Sequence, residues 1–338
     1  NSDILKKATD IKNIFDSFND LTVLIIGDVM IDSYMWGHVT RISPEAPVPI
    51  VAVDKKEDRL GGAANVALNI QAMGATPILC ALVGSDKNGE LFSDLLKKQK
   101  IQTQTIIKSK HRITTVKTRI IGNNHQMLRV DEEVNTPLNS KEAEQLINTV
   151  KKIVSSKKID IIIFEDYDKG CLTPQVIKGV LEIANKKNIP TAVDPKKNNF
   201  WEYTGVTLFK PNLKELKEGL KLDVDPQNNK ELNTIVNQFI KRQKITTALV
   251  TLSDKGMYTH SADIKQVIPA HIRTISDVSG AGDTVISVAA LCVAAGLNPI
   301  VTATLANLAG GLVCEQTGVV PVNKKQLYQE ASQLSFFK

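Results

Sequence analysis

Apolar runs of strand length alternate with helical periods along nearly the whole chain. This rhythm limits the possible folds more than any other feature of the sequence. Residues 21–26, 78–83, 159–164, 190–193 and 248–252 read as strands. Residues 63–73, 90–99, 141–155, 174–187, 229–241, 281–295, 299–316 and 324–334 carry the spacing of helices. A strand apolar throughout, rather than at every second position, is buried on both faces. Such strands separated by helices define an α/β protein, with a mostly parallel sheet between two helical layers. Ligands of such sheets sit beyond the carboxyl ends of the strands.

Two stretches break the rhythm. Residues 34–53 contain Pro44, Pro47 and Pro49, and residues 114–130 alternate as two strands around Gly122-Asn123-Asn124. Segments of about 34–56 and 112–131 are therefore expected to form a small β-appendage on a single domain, 1–338. It is either a flap over the site or an extension of a sheet edge. The net charge of +6 is spread over lysine pairs such as Lys97-Lys98 and Lys186-Lys187. With no aromatic-interleaved basic stripe, nucleic acid is not an expected partner. Cys80, Cys171, Cys292 and Cys314 form no C-x-x-C pair, so they read as free thiols in a reducing compartment. No apolar run has membrane-spanning length and no signal region opens the chain, so no membrane partner and a cytoplasmic location are expected.

The chemistry concentrates in Asp277-Val278-Ser279-Gly280-Ala281-Gly282-Asp283-Thr284. Its glycines allow a tight turn and close approach of a ligand. The helix that follows aims free N–H groups and a positive dipole end at the turn, which suits phosphate oxygens. A carboxylate beside an anion site repels the anion, unless it takes a proton from the group that attacks it. The turn thus suggests phosphoryl transfer to a hydroxyl, with Asp283 as base and Gly280, Ala281 and Gly282 as the anion hole. The alternative is a tight helix entry. A P-loop is excluded, because Glu90 and Leu91 follow the Gly84/Gly89 pair, and Val285 replaces the third glycine of a dinucleotide fingerprint.

Other polar clusters fall after strands or at helix starts. Gly61-Gly62-Ala63-Ala64-Asn65 opens a helix, either to admit a ligand or as an ordinary glycine-rich start. Asp28, Asp32, Glu165-Asp166 and Asp194-Pro195-Lys196 converge on one sheet edge, as sugar-hydroxyl acceptors or as turn and cap residues. Asn212 and Glu215 share a helix face, and either order waters on Mg²⁺ or form a capping box. The five histidines are scattered without ligand spacing.

Together these motifs resemble the ribokinase-like carbohydrate kinases, the phosphofructokinase-B family, over nearly the whole chain. Gly61 to Asn65 is similar to the first family signature and Asp277 to Asp283 to the second. Asn212-Leu213-Lys214-Glu215 is similar to the family's Asn-x-x-Glu motif, and residues 250–256 to its nucleotide-side strand and turn. The resemblance implies a three-layer α/β/α sandwich with a β-flap lid. It implies ATP and Mg²⁺, with Lys210, Thr251, Gly256 and Asn307 on the nucleotide side and Asn212 and Glu215 holding Mg²⁺ through water. A K⁺ site at Asp277 and Ser279 is a further implication. The substrate is expected at Asp32, Gly61, Gly62, Asn65, Asp166, Asp194 and Lys196.

Within the family, residues 27–32, 41–49, 165–170, 194–196 and 277–285 resemble the branch acting on D-glycero-β-D-manno-heptose 7-phosphate. That branch phosphorylates the anomeric hydroxyl on the route to ADP-heptose and lipopolysaccharide core. Arg41, Arg119 and Arg129 are then candidates for the 7-phosphate. Glu165 and Lys197 depart from that branch's usual serine and glycine. The sequence lacks the H-x-G-H motif of bifunctional relatives and so resembles the stand-alone kinase. A homodimer through the flaps is expected. The rival readings are a kinase of the same fold for another sugar, and a non-catalytic nucleotide or sugar sensor.

Overall fold

The computed structural model describes residues 10–223, 225 and 228–335. Its strands are β1 (Thr22–Gly27), β2 (Val29–Ile42), β3 (Pro49–Gly62), β4 (Thr76–Gly84), β5 (Ile106–Ser109), β6 (Val116–Gly122) and β7 (His125–Glu132). They continue as β8 (Ile161–Glu165), β9 (Thr191–Asp194), β10 (Leu208–Phe209), β11 (Thr247–Thr251), β12 (Met257–His260) and β13 (Lys265–Ile268). A 9-stranded sheet has the order β13-β12-β11-β10-β9-β8-β1-β4-β5. Its pairs are parallel from β11 to β5, while the pairs β11–β12 and β12–β13 are antiparallel, so that β12 alone is reversed.

The fully apolar strands are sandwiched, and successive residues feed two different cores. Val23 and Ile25 of β1 join the layer built by helices Ala63–Ala72, Ala281–Ala294 and Pro299–Cys314. Leu24 and Ile26 join the opposite layer, with helices Ser140–Ser156 and Pro174–Lys186. Ile161 and Ile163 against Ile162 and Phe164 repeat the division on β8. Burial of this kind contributes roughly 25 cal/mol per Å² of apolar surface, and it fixes strand order and facing.

The interrupted stretches form a separate 4-stranded sheet, β3-β2-β6-β7. Its hairpin is longer than the sequence pattern showed, because β2 starts one residue after Asp28 at the sheet edge. Val29 pairs with Gly62 at the root, and Ile42 pairs with Pro49 at the tip. The appendage thus grows directly out of the edge where β1 ends. The short β10 also escaped the pattern, since two residues carry no periodicity.

Candidate active site

Parallel register places the ends of β1, β8 and β9 level, with Gly27 opposite Glu165 and Glu165 opposite Asp194. Lys210 follows β10, and its Nζ bonds Asp194 Oδ2 at 2.7 Å. Burial alone would lower the Lys210 pKa, but the charges of Asp194 and Glu215 hold it above the usual value. Lys196 is raised in the same way, against burial, by Asp194 and by its ion pair with Glu215. Asp194 Oδ1 and Glu165 Oε2 are buried without hydrogen-bond partners.

The turn 277–284 stands above this edge. Asp277 builds it, accepting from Ser279 N at 2.9 Å and from Gly318 N at 3.0 Å. Burial works against ionisation of Asp277, yet these donors carry its carboxyl below the ordinary range. Gly280 caps the helix Ala281–Ala294 with a left-handed φ of 78°, a conformation that glycine adopts without strain. Asp283 lies in the first turn of that helix and is 2% exposed. Asn65 Nδ2 donates to its Oδ2 at 2.7 Å, and the Tyr167 hydroxyl donates to its Oδ1 at 2.6 Å. Burial pushes the Asp283 carboxyl up to about 6, although both donors pull it down. A carboxyl in that range changes charge near neutrality, as a general base requires.

On one side of Asp283 opens a cavity of about 1030 Å³. Its walls include Lys196, Lys210, Asn212, Glu215, Thr251, Gly256, Ala281, Gly282 and Asn307. A Cβ on Gly282 would lie at ordinary contact distance, 3.5 Å, from both Asp194 Oδ2 and Lys210 Nζ, so the backbone of the turn stands beside the lysine at the cavity wall. Asn212 and Glu215 form the complete capping box of helix Leu213–Leu220, each bond 2.8 Å long. Asn212 Oδ1 and the Glu215 carboxylate, which also pairs with Lys196, keep lone pairs beyond these bonds, and such oxygens fit the waters of a hydrated Mg²⁺. Asn307 Nδ2 donates to Pro269 O at 2.9 Å, tying the helix Pro299–Cys314 to the strand end.

On the other side lie Asp32, Gly61, Gly62 and Asn65. Asp32 is 4% exposed and pairs with Arg119, whose guanidinium also stacks on Tyr34. A Cβ on Gly61 would meet Asp32 Oδ2 at 2.1 Å, and Gly62 has φ +60° against Asp28 O. Both glycines are therefore demanded by packing of the hairpin root.

Three of the expected substrate residues are engaged or placed elsewhere in this chain. Asp166 does not offer itself to a sugar, because its oxygens accept from Asp168 N at 2.9 Å, Asn199 at 3.0 Å and Tyr203 at 2.6 Å. It braces the loop after β8. Arg41 sits near the exposed tip of β2, nine residues beyond Asp32, so it is about 30 Å away along the strand at ~3.3 Å per residue. Arg129 is exposed on β7 and is bound to Asp131 at 2.9 Å. Of the candidate arginines, the fold brings only Arg119 to Asp32. Two further residues of the site have no signature in the sequence, Tyr167 and Arg59, which stacks on Tyr34 and donates to Val319 O at 3.1 Å. The segment carrying His271, Ile272, Arg273 and Ile275 also lines the cavity without a motif to mark it. Tyr167, Arg59 and Arg273 carry no local pattern for these contacts, since Asp283, Val319 and Glu330 lie far along the chain.

Residues 20–326 match the family described as pfkB family carbohydrate kinase. Curated relatives include the Bifunctional protein HldE of Trichlorobacter lovleyi, 35% identical over 95% of this chain and 65% of the relative. That of Caulobacter vibrioides is 39% identical over 94% of this chain and 64% of the relative. The chain thus spans just under two thirds of the length of these relatives. Phosphofructokinase-2 from Escherichia coli, in complex with substrates and products, matches with a TM-score of 0.77 at 17% identity, covering 93% of this chain and 100% of that one. Arabidopsis thaliana ribokinase complexed with ribose and ATP gives 0.69 at 15% identity, covering 93% and 99%. At such identities the likeness shows the fold, which is ribokinase-like α/β.

Fold and family together define a ribokinase-like sugar kinase. The chain belongs to the pfkB family of carbohydrate kinases. That family implies the use of ATP and Mg²⁺ in general. Among the described residues, no helix is long and apolar enough to cross a membrane.

Proposed function

We propose that this kinase phosphorylates the anomeric hydroxyl of D-glycero-β-D-manno-heptose 7-phosphate, giving the 1,7-bisphosphate used toward ADP-heptose and lipopolysaccharide core. The observation that carries the kinase chemistry is Asp283. It is a buried carboxyl near pKa 6, held by two donors, between a large cavity and the Asp32 side of the sheet edge. The heptose assignment is supported by the motifs at residues 41–49 and 277–285 and by the relatives named HldE. The setting would be the cytoplasm.

ATP would occupy the cavity, with its terminal phosphates at Gly280, Ala281 and Gly282 and its charge met by Lys210 and Lys196. Mg²⁺, held through water at Asn212 and Glu215, would neutralise charge on the phosphates. Asp283 accepts the proton of the attacking hydroxyl. The proton moves late, once phosphoryl transfer has acidified the sugar oxygen. Backbone N–H groups of the turn hold the charge that develops. Asp32 orders the sugar hydroxyls, and Arg119, paired with it, would meet a substrate phosphate. Asp277 and Ser279 would be the place for K⁺, where a cation has to share Asp277 with two backbone donors.

ATP turnover against a panel of free sugars and sugar 7-phosphates tests the assignment. Heptose 7-phosphate should be turned over far better than free heptose, ribose or fructose. Equal kcat/KM across the panel would point to a kinase for another sugar, and no turnover at all to a sensor. Asp283→Asn should lower kcat by roughly 10²–10⁴ while leaving ATP affinity within about threefold. A variant within about threefold of wild-type kcat would remove Asp283 from the role of base.

A further inference from the structure

The loop that follows β8 is held with unusual firmness for a connection. Asp28, buried at the end of β1, accepts from Tyr167 N at 2.8 Å, Lys169 N at 3.1 Å and Cys171 N at 3.0 Å. Asp166 fixes the same loop from below through Asp168, Asn199 and Tyr203. Burying two carboxylates opposes folding unless they are well bonded, and here both are spent on one short segment. That segment delivers a single side chain to the centre of the site. The ring of Tyr167 lines the cavity under Lys196, whose Nζ is 5.3 Å from the ring centroid, and the hydroxyl reaches Asp283 Oδ1.

Asp283 needs that donor. Glu165 faces it from the end of β8, Asp194 from β9 and Asp32 from β2, all carboxylates that oppose its ionisation. Lys210 stands near the Gly282 backbone, bonded to Asp194. Asn65, from the helix Ala63–Ala72, supplies the other hydrogen bond. Each carboxylate oxygen takes two donors, so one position on each remains open for a sugar hydroxyl. Burial and the Asp283 charge raise the Tyr167 phenol well above its usual range, so it stays a donor at any working pH.

Resting on the kinase reading above and deepening it, we infer that Tyr167 is a positioning residue that aims Asp283 at the sugar hydroxyl and keeps it ionised. The Asn65 bond alone leaves Oδ1 without an anchor against rotation, and Tyr167 supplies that anchor from a loop braced by two buried aspartates.

Tyr167→Phe tests this. The variant keeps the ring beneath Lys196 and the backbone bonds to Asp28, and an unchanged melting temperature and KM for ATP report that the fold survives. Its kcat/KM should fall, and the acidic limb of the pH profile should move up by about one unit. The loss is then about tenfold greater below the limb than above it. On an Asp283→Asn background the same substitution should cost nothing further. An unchanged limb, or an equal loss in both backgrounds, would overturn the role of Tyr167 and leave the base intact. An Asp283→Asn enzyme with wild-type turnover would instead defeat the base itself, and this inference with it.

Discussion

Glu165 is the residue at which the site works against the fold. Its side chain is 1% exposed and its Oε2 has no partner. Burial raises its carboxyl well above the usual range, and the Asp194 and Asp283 charges add to the effect. An unfolded glutamate titrates near ~4.3, so between that pH and the raised folded value the native state binds the proton more tightly. Stability from this group is therefore full at low pH and is lost as pH rises through the folded pKa. Glu165→Gln keeps the shape and removes the titration. The variant should melt higher than wild type above neutral pH, with the gap closing as pH falls toward the ordinary glutamate range. Melting curves that stay parallel across that range would show that Lys196 and Lys210 already compensate the charge. The residues legible in sequence were those with a local signature. Asp283 follows glycines and opens a helix, and Asn212 and Glu215 sit at cap spacing. Tyr167 meets Asp283 across 116 positions and Arg59 meets Val319 across 260, so neither contact has a local trace.

At the scale of elements, the strands announced themselves because each feeds two cores, as β1 does through Val23 and Leu24. The hairpin root did not, because Asp32, Ser33 and Tyr34 mix polar and apolar residues in a strand that leaves the core within a few positions. The turn 277–284 was legible as a turn, but sequence could not tell an anion site from a helix entry. The structure makes that question experimental. Gly280 has a left-handed φ, and a Cβ there would lie 3.0 Å from Asn65 Nδ2, so its replacement strains the fold. Gly282 differs: its φ is not left-handed and its added Cβ finds ordinary 3.5 Å contacts. Alanine in a helical turn is favoured over glycine by up to about 1 kcal/mol. Gly282→Ala should therefore be as stable as wild type or slightly more so. If the open backbone receives phosphate, its kcat/KM for ATP should still fall by about tenfold or more, because the methyl group stands between the N–H groups and Lys210. Retention of full ATP turnover by a stable Gly282→Ala enzyme would reduce the turn to a helix entry.

The whole molecule carries a second sheet that the isolated chain does not complete. Strand β7 is exposed at every position and forms one edge of that sheet, with β3 at the other. Ile42 is 61% exposed, Val48 50% and Leu128 56%, with Met127 and Val130 exposed beside them. An apolar edge strand invites pairing with another chain, and proteins usually blunt or cover it. Two copies packed across a two-fold axis would bury these side chains together and cover the edges. Because β2 is rooted one residue from Asp28 and carries Asp32, fixing the flap tips would also fix one wall of the sugar side. We therefore expect a homodimer through the flaps, burying on the order of 1,200–2,000 Å² as stable interfaces do. Sedimentation at micromolar concentration should show the dimer. Ile42→Glu with Leu128→Glu should yield a folded monomer with a higher KM for the sugar and little change for ATP, since the nucleotide cavity is built from the main sheet. A wild-type monomer that keeps full specific activity on dilution would refute the assembly, as would a dimer that survives both charges.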